Sequence, residues 1–217
     1  MHTDTQTTRQ AAKEEVDVKP LNRTEMKKDI ILAGVGGQGI LSIATIIGEA
    51  AIADNLYIKQ AEVHGMSQRG GDVQSNLRLS SSPIASDLIP KGGADIIISL
   101  EPMEALRYLP YLKQDGWIVT NSVPFVNIDN YPDLETLHAR LEALPRVVML
   151  NVEQLAKEAG APLQAANMVL LGAATPMLGI EDRKIKAGVE RIFARKGDDV
   201  VAKNLAALQA GIDNSIK

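Results

Sequence analysis

Between Asp29 and Ala53 an apolar run, a cluster of glycines and an amphipathic segment follow one another without interruption. Ile30-Ile31-Leu32-Ala33 lacks any polar alternation, as a strand covered on both faces requires. It leads directly into Gly34-Val35-Gly36-Gly37-Gln38-Gly39, a G-x-G-x-x-G match. Ile40, Ile43, Ala44, Ile47 and Ala51 then recur at helical spacing, which predicts a helix from Ile40 to Ala53. A strand, a tight turn and a helix in this order commit the chain to an α/β architecture, because the helix can bury its apolar face only against the sheet it has just left.

The remainder of the chain fits that frame. Leu56 to Ala61 reads as a second strand. Asp72 to Leu79 alternates Val73, Ser75, Leu77 and Leu79 against Asp72, Gln74, Asn76 and Arg78, a strand with one wetter face. Ala94 to Leu100 (ADIIISL) is the strongest buried strand, and Pro102 opens a helix toward Leu112. Gly116 to Thr120 and Val147 to Leu150 supply two more strands. Helical spacing then dominates in 152–159, 165–178, 182–194 and 200–210. The expected fold is a three-layer α/β/α domain with a largely parallel sheet, Rossmann-like, with a helical C-terminal third. Residues 1–28 are polar and aperiodic and read as a flexible arm, leaving 29–217 as one domain.

Composition excludes several functions. The chain of 217 residues has no cysteine, so it can hold neither disulfides nor thiolate-bound iron–sulfur clusters, and it has no Cys nucleophile. Three histidines, His2, His64 and His138, make a histidine-rich metal site unexpected, and no metal is assigned. A net charge of −4 without a basic cluster argues against nucleic acid. No apolar run spans a bilayer and no secretory h-region is visible, so a cytoplasmic protein with no membrane partner is expected.

Two segments carry the chemistry. Gly34, Gly36, Gly37, Gln38 and Gly39 form a turn that permits close backbone approach, with helix amides able to hold a phosphate or carboxylate. The alternative is a turn whose glycines simply let strand and helix pack. A dinucleotide site would add an acidic residue at the end of the second strand, where only Glu62 stands near. The second segment is His64-Gly65-Met66-Ser67-Gln68-Arg69-Gly70-Gly71. Its Ser67, Gln68, Arg69, Gly70 and Gly71 offer donors and open backbone, and Arg69 a planar fork for an oxyanion. His64 is a weak acid–base candidate, since a hydrogen-bonded structural role suits it as well. No catalytic triad spacing surrounds Ser67. Plainer readings attach to the remaining polar residues: a helix N-terminal charge for Glu101, a turn for Asn121-Ser122, and a cap or interhelical bond for Asn167. Met103, Met149, Met168 and Met177 read as core.

The opening 29–41, the segment 64–71 and Asn167-Met168-Val169-Leu170-Leu171-Gly172-Ala173 together resemble the gamma-type domain of pyruvate/2-oxoacid:ferredoxin oxidoreductases. The closing region with Asn204 and Gly211 fits as well, so the resemblance covers roughly 28–212. The wording of 64–71 is most similar to the beta subunits of enzymes of this family acting on indolepyruvate. That resemblance implies an accessory subunit that binds no cofactor alone. Thiamine diphosphate and iron–sulfur clusters would sit in an alpha subunit, with coenzyme A and an aryl 2-oxoacid as substrates and ferredoxin as electron acceptor. The anion-friendly chemistry of the two glycine-bearing segments and their shared sheet edge add the expectation that they lie near the alpha-subunit active site, binding coenzyme A phosphates or shaping the oxoacid pocket, with Gly34 to Gly39 and Arg69 as leading contacts. Competing expectations are a 2-oxoglutarate or 2-ketoisovalerate enzyme, a free-standing NAD-binding Rossmann protein, and a scaffold whose loops only hold a partner.

Overall fold

A computed structural model describes residues 25–64, 71–126 and 128–216. The expected arm falls almost wholly outside them; pairing begins at Lys27, two residues before Asp29, and Met26 is already tied to Ser81 through its amide and carbonyl. The strands are β1 (Lys27–Val35), β2 (Tyr57–His64), β3 (Asp72–Ser80), β4 (Ala94–Ser99), β5 (Leu112–Asn121) and β6 (Val147–Leu150). The α-helices are α1 (Ile40–Ile52), α2 (Pro102–Arg107), α3 (Leu134–Glu142), α4 (Val152–Glu158), α5 (Ala166–Leu178), α6 (Asp182–Phe193) and α7 (Asp198–Asp213). Among the described residues no helix is long and apolar enough to cross a membrane.

One six-stranded sheet runs in the order β2-β3-β1-β4-β5-β6. β1, β4, β5 and β6 pair in parallel, whereas β3 is antiparallel to both β1 and β2. Five strands thus share one direction and β3 alone opposes them. This departs from a dinucleotide-binding unit, in which the second strand lies beside the first. Here β2 and β3 pair antiparallel across residues 65–71, and β3 takes the place next to β1.

Period-two alternation assigns the strands' two faces. Ile30 and Leu32 of β1 join a core with Ile96, Ile98, α1 and α4 to α7, whereas Ile31 and Ala33 join Ile97, Ile118, α2 and α3 on the opposite face. The result is three layers. α5 is buried almost all round, and Gly172 and Gly211 let it lie directly on α7: a Cβ at either would fall 2.0 or 1.9 Å from a carbonyl oxygen of the facing helix. The wetter face expected on β3 stays open at Asp72, which is exposed, but is covered toward the other end of the strand. Asn76 is buried and accepts from the Ile89 amide, and Arg78 donates to the carbonyls of Ser86 and Leu88, so the connection from β3 to β4 folds over it. Met168 and Met177 are core and Met103 and Met149 pack against it, as expected.

Candidate active-site face

β1 and β4 are adjacent, yet α1 leaves one for one face of the sheet and α2 leaves the other for the opposite face. Such divergence opens a crevice at the carboxyl ends of the strands, where open α/β sheets bind ligands. The glycine turn occupies this crevice. Gly37 (φ 102°) and Gly39 (φ 88°) take left-handed backbone conformations that a side chain would strain. The Gln38 side chain folds back, its Oε1 accepting from the Val35 amide at 2.7 Å and its Nε2 donating to the Leu100 carbonyl at 3.2 Å. It pins the turn to the ends of β1 and β4. Gly34 is buried in β1 with the Gln38 amide and Ile40 closing over it.

The amides of Val35, Gly36 and Gln38 are committed to bonds at this turn, whereas among the described residues those of Gly37 and Gly39 make none. The Ser42 amide, in the first turn of α1, is bound to the Gly39 carbonyl at 3.1 Å, whereas among the described residues the Ile40 and Leu41 amides before it make no such bond. The Gly36 amide donates to the Gly71 carbonyl at 2.9 Å. That bond joins the two glycine-bearing segments at their bases. Ser67, Gln68, Arg69 and Gly70 lie outside the described residues, and of His64 the backbone alone is described, paired with Val73.

Hollows flank the turn on both sides. One, of about 380 Å³, is lined by Val35, Ile40, Leu41, Val73 and Glu62 with the glycines. Glu62 therefore does border the turn, although from the edge strand β2, where its Oε1 accepts from Gln60. The other, of about 440 Å³, lies between the turn and the starts of α4, α5 and α7, with Glu153, Asn167, Lys196, Asn204, Phe125 and Leu163 in its wall. Asn167 does not cap α5; its Nδ2 donates 3.2 Å to the carbonyl of Gly39, the residue preceding α1, and its Oδ1 is buried and has no partner among the described residues. Glu153 accepts from Asn121 on Oε1, and its other oxygen, Oε2, is buried and has no partner among the described residues. Asn167 and, through the family resemblance, Asn204 are named by the sequence; Glu153, Lys196, Phe125 and Leu163 escape notice there, and the apolar Val123-Pro124-Phe125-Val126 at a strand's carboxyl end is the signal available for Phe125.

The other polar candidates take structural places. Glu101 is buried, caps α2 by accepting from the Glu104 amide at 2.9 Å, and accepts from the Tyr131 hydroxyl. Burial, then the Glu101 carboxylate, holds the Tyr131 phenol above its ordinary value. Burial likewise raises the Glu104 carboxyl, against the opposing pull of Arg107 at 2.8 Å, and pushes Tyr108 up to about 12. Asn121 ties the end of β5 to Val123, Glu153 and the Val152 amide. Among the described residues no group of three metal-ligating side chains converges.

The family model for pyruvate ferredoxin/flavodoxin oxidoreductase matches residues 29–214. The chain belongs to this family. Within the oxidoreductase family it is similar to the indolepyruvate oxidoreductase subunit IorB of Archaeoglobus fulgidus, 35% identical over 202 residues, which are 88% of this chain and 96% of that one. It is also similar to the 2-oxoglutarate synthase subunit KorC of Methanothermobacter thermautotrophicus, 28% identical over 86% of this chain and 94% of the relative. Among solved structures, the keto/oxoacid ferredoxin oxidoreductase gamma subunit of Geobacter sulfurreducens superposes with a TM-score of 0.63 at 26% identity, covering 87% of this chain and 98% of that subunit. The oxidoreductase gamma-subunit fold is thus shared over nearly the whole described chain.

Proposed function

We propose that this chain is the accessory subunit of an aryl-pyruvate:ferredoxin oxidoreductase and works beside a larger subunit that carries thiamine diphosphate and iron–sulfur clusters. The observation that carries the reading is 35% identity across 96% of an indolepyruvate oxidoreductase subunit, against 28% to a 2-oxoglutarate synthase subunit. A chain without cysteine offers no thiolate to iron, which supports leaving electron transfer to the partner. In the overall reaction the bond between the carboxylate and the keto carbon of the oxoacid breaks and carbon dioxide leaves. The keto carbon is oxidised by two electrons, which pass one at a time to ferredoxin clusters, and the coenzyme A thiol loses its proton as its sulfur forms the thioester.

This chain's share is binding and positioning. The amides of Gly37 and Gly39, unbonded among the described residues, together with those of Ile40 and Leu41 at the start of α1, are suited to a phosphate or carboxylate. Arg69 belongs to the segment whose last residue, Gly71, is bonded to this turn, and its guanidinium is suited to a bidentate bond with an oxyanion. The apolar hollow of Val35, Ile40, Leu41 and Val73 supplies a wall that excludes water from a neighbouring reaction centre. The displaced position of β2 speaks against the free-standing NAD-binding alternative.

Arg69→Ala in the complex co-expressed with its larger subunit tests the assignment. The expected result is a raised KM for coenzyme A or for the oxoacid; unchanged KM and kcat for both would remove the segment from the site. A panel of indolepyruvate, phenylpyruvate, hydroxyphenylpyruvate, 2-oxoglutarate and 2-ketoisovalerate tests the substrate class, with the aryl acids expected to be turned over best.

A further inference from the structure

The hollow of about 380 Å³ beside the glycine turn falls within the range of roughly 300–1,000 Å³ usual for small-molecule sites. Val35, Ile40, Leu41 and Val73 give it an apolar wall, and Leu41 keeps 49% of its surface uncovered. The polar groups on its border are the backbone of the glycine turn and one carboxylate, that of Glu62. These come from different places in the sheet. β3 separates β2 from β1, so Glu62 stands two strand spacings, roughly 10 Å, from the strand that carries the turn. Its carboxylate is also held. Gln60 Nε2 donates to Glu62 Oε1 at 3.0 Å and to the hydroxyl of the buried Ser75 at 3.1 Å. Glu62 pairs with Ser75 and Gln60 with Leu77, so all four side chains share the face on which α1 packs. An exposed glutamate is thereby tethered to the sheet through one oxygen, while among the described residues Oε2 makes no hydrogen bond.

A carboxylate only accepts, so it takes an N–H or O–H from a ligand and repels a second negative charge. The amides of the turn take the opposite partner, an oxyanion. A ligand that suits both has an anionic end, an apolar body and a donor on the edge remote from its charge. Oxoacids bearing an indole or a phenol have their groups in that order. Phenylpyruvate lacks the donor, and 2-oxoglutarate sets a carboxylate where the donor belongs. We infer that Glu62 is a specificity-determining residue for the oxoacid. The aryl ring lies on Ile40, Leu41 and Val73, its N–H or O–H donates to Glu62 Oε2, and the same carboxylate turns dicarboxylic oxoacids away. Gln60 is then a positioning residue, acting through Glu62. The inference rests on the accessory-subunit reading and names the substrate group that this hollow selects.

The test is steady-state kinetics of the co-expressed complex on indolepyruvate, hydroxyphenylpyruvate, phenylpyruvate and 2-oxoglutarate. Glu62→Gln still accepts from Gln60 but loses the charge and turns a donor toward the ligand. Because Glu62 is exposed on an edge strand, thermal unfolding of the chain should stay unchanged. The expected result is a fall of about tenfold or more in kcat/KM for indolepyruvate and hydroxyphenylpyruvate, the worth of a hydrogen bond to a charged group. Phenylpyruvate should change little, and 2-oxoglutarate should improve about fivefold as close-range repulsion is removed. Gln60→Met, which keeps the carboxylate but frees it, should shift the two donor-bearing substrates the same way by less. An unchanged order of preference in Glu62→Gln overturns the proposal, as does an equal loss on all four oxoacids. A change confined to the KM for coenzyme A also overturns it, by assigning Glu62 to the donors of that molecule. Failure of the unaltered complex to turn over any of the oxoacids overturns the accessory-subunit reading itself, whereas normal turnover with an unchanged preference sinks the Glu62 assignment alone.

Discussion

The side-chain amide of Asn167 donates to the backbone carbonyl of Gly39 across 128 positions of sequence. This bond couples the start of α5 to the turn that starts α1. Gly39 has a φ of 88°, and a Cβ there would stand 2.5 Å from Asn167 Nδ2. Gly39→Ala therefore meets both a left-handed backbone and a collision. The conformation alone costs about 1–2 kcal/mol, so a urea melt should show at least that loss, and ferredoxin reduction by the complex should fall by more than stability explains.

Helix packing gives a prediction in which the same substitution has opposite signs. Gly211→Ala sets a Cβ 1.9 Å from the Val169 carbonyl oxygen, so α5 and α7 must part. A cost of about 3 kcal/mol is expected, at the upper end for overpacking. Gly48→Ala in α1 meets nothing within 4 Å and should instead stabilise by up to about 1 kcal/mol through helix propensity. Chemical denaturation of the two variants checks the pair.

At the opposite end of the sheet Asp29 is 2% exposed and bound by Arg78 at 2.7 and 3.1 Å. Arg78→Met strands that carboxylate, with the exposed Lys27 at 3.4 Å its remaining ion-pair partner among the described residues. The expected loss is about 3–5 kcal/mol. Asp29→Asn together with Arg78→Met should recover part of it, a result that would identify the uncompensated charge as the cause.

Glu104 supplies a pH test. Its carboxyl is raised, chiefly by burial, so the protonated form is favoured in the folded chain. The stability this brings is complete below the ordinary glutamate value of about 4.3 and is lost as pH rises through the folded value. The stability of the unaltered chain relative to Glu104→Gln should therefore fall as pH rises from about 4. Urea melts across that range check the slope, and a rise would mean that the Arg107 ion pair outweighs burial.

What the sequence discloses follows from where burial is two-sided. Ile96, Ile97 and Ile98 admit only a central strand, and Val147–Leu150 matches its expected bounds. α3 escapes because Leu137 and Leu141 are its only buried residues, although Asp133, which accepts from the Thr136 amide, is a readable cap. The polar start of β5 at Lys113, Gln114 and Asp115 hides a strand that pairs there through a register shift beside Ala94. Strand order is not a local property, so the insertion of β3 between β1 and β2 leaves no trace in periodicity. The glycine turn is legible because it depends on neighbours within six residues of chain. The hollow behind it needs Glu153, Asn167 and Lys196 from separate helices and connections, which tertiary packing alone brings together.

The most direct test is ferredoxin reduction by the purified larger subunit, with an aryl pyruvate and coenzyme A, before and after addition of this chain. The account predicts little or no reduction from the larger subunit by itself and recovery to a plateau at saturating accessory subunit. Full activity without this chain would contradict it.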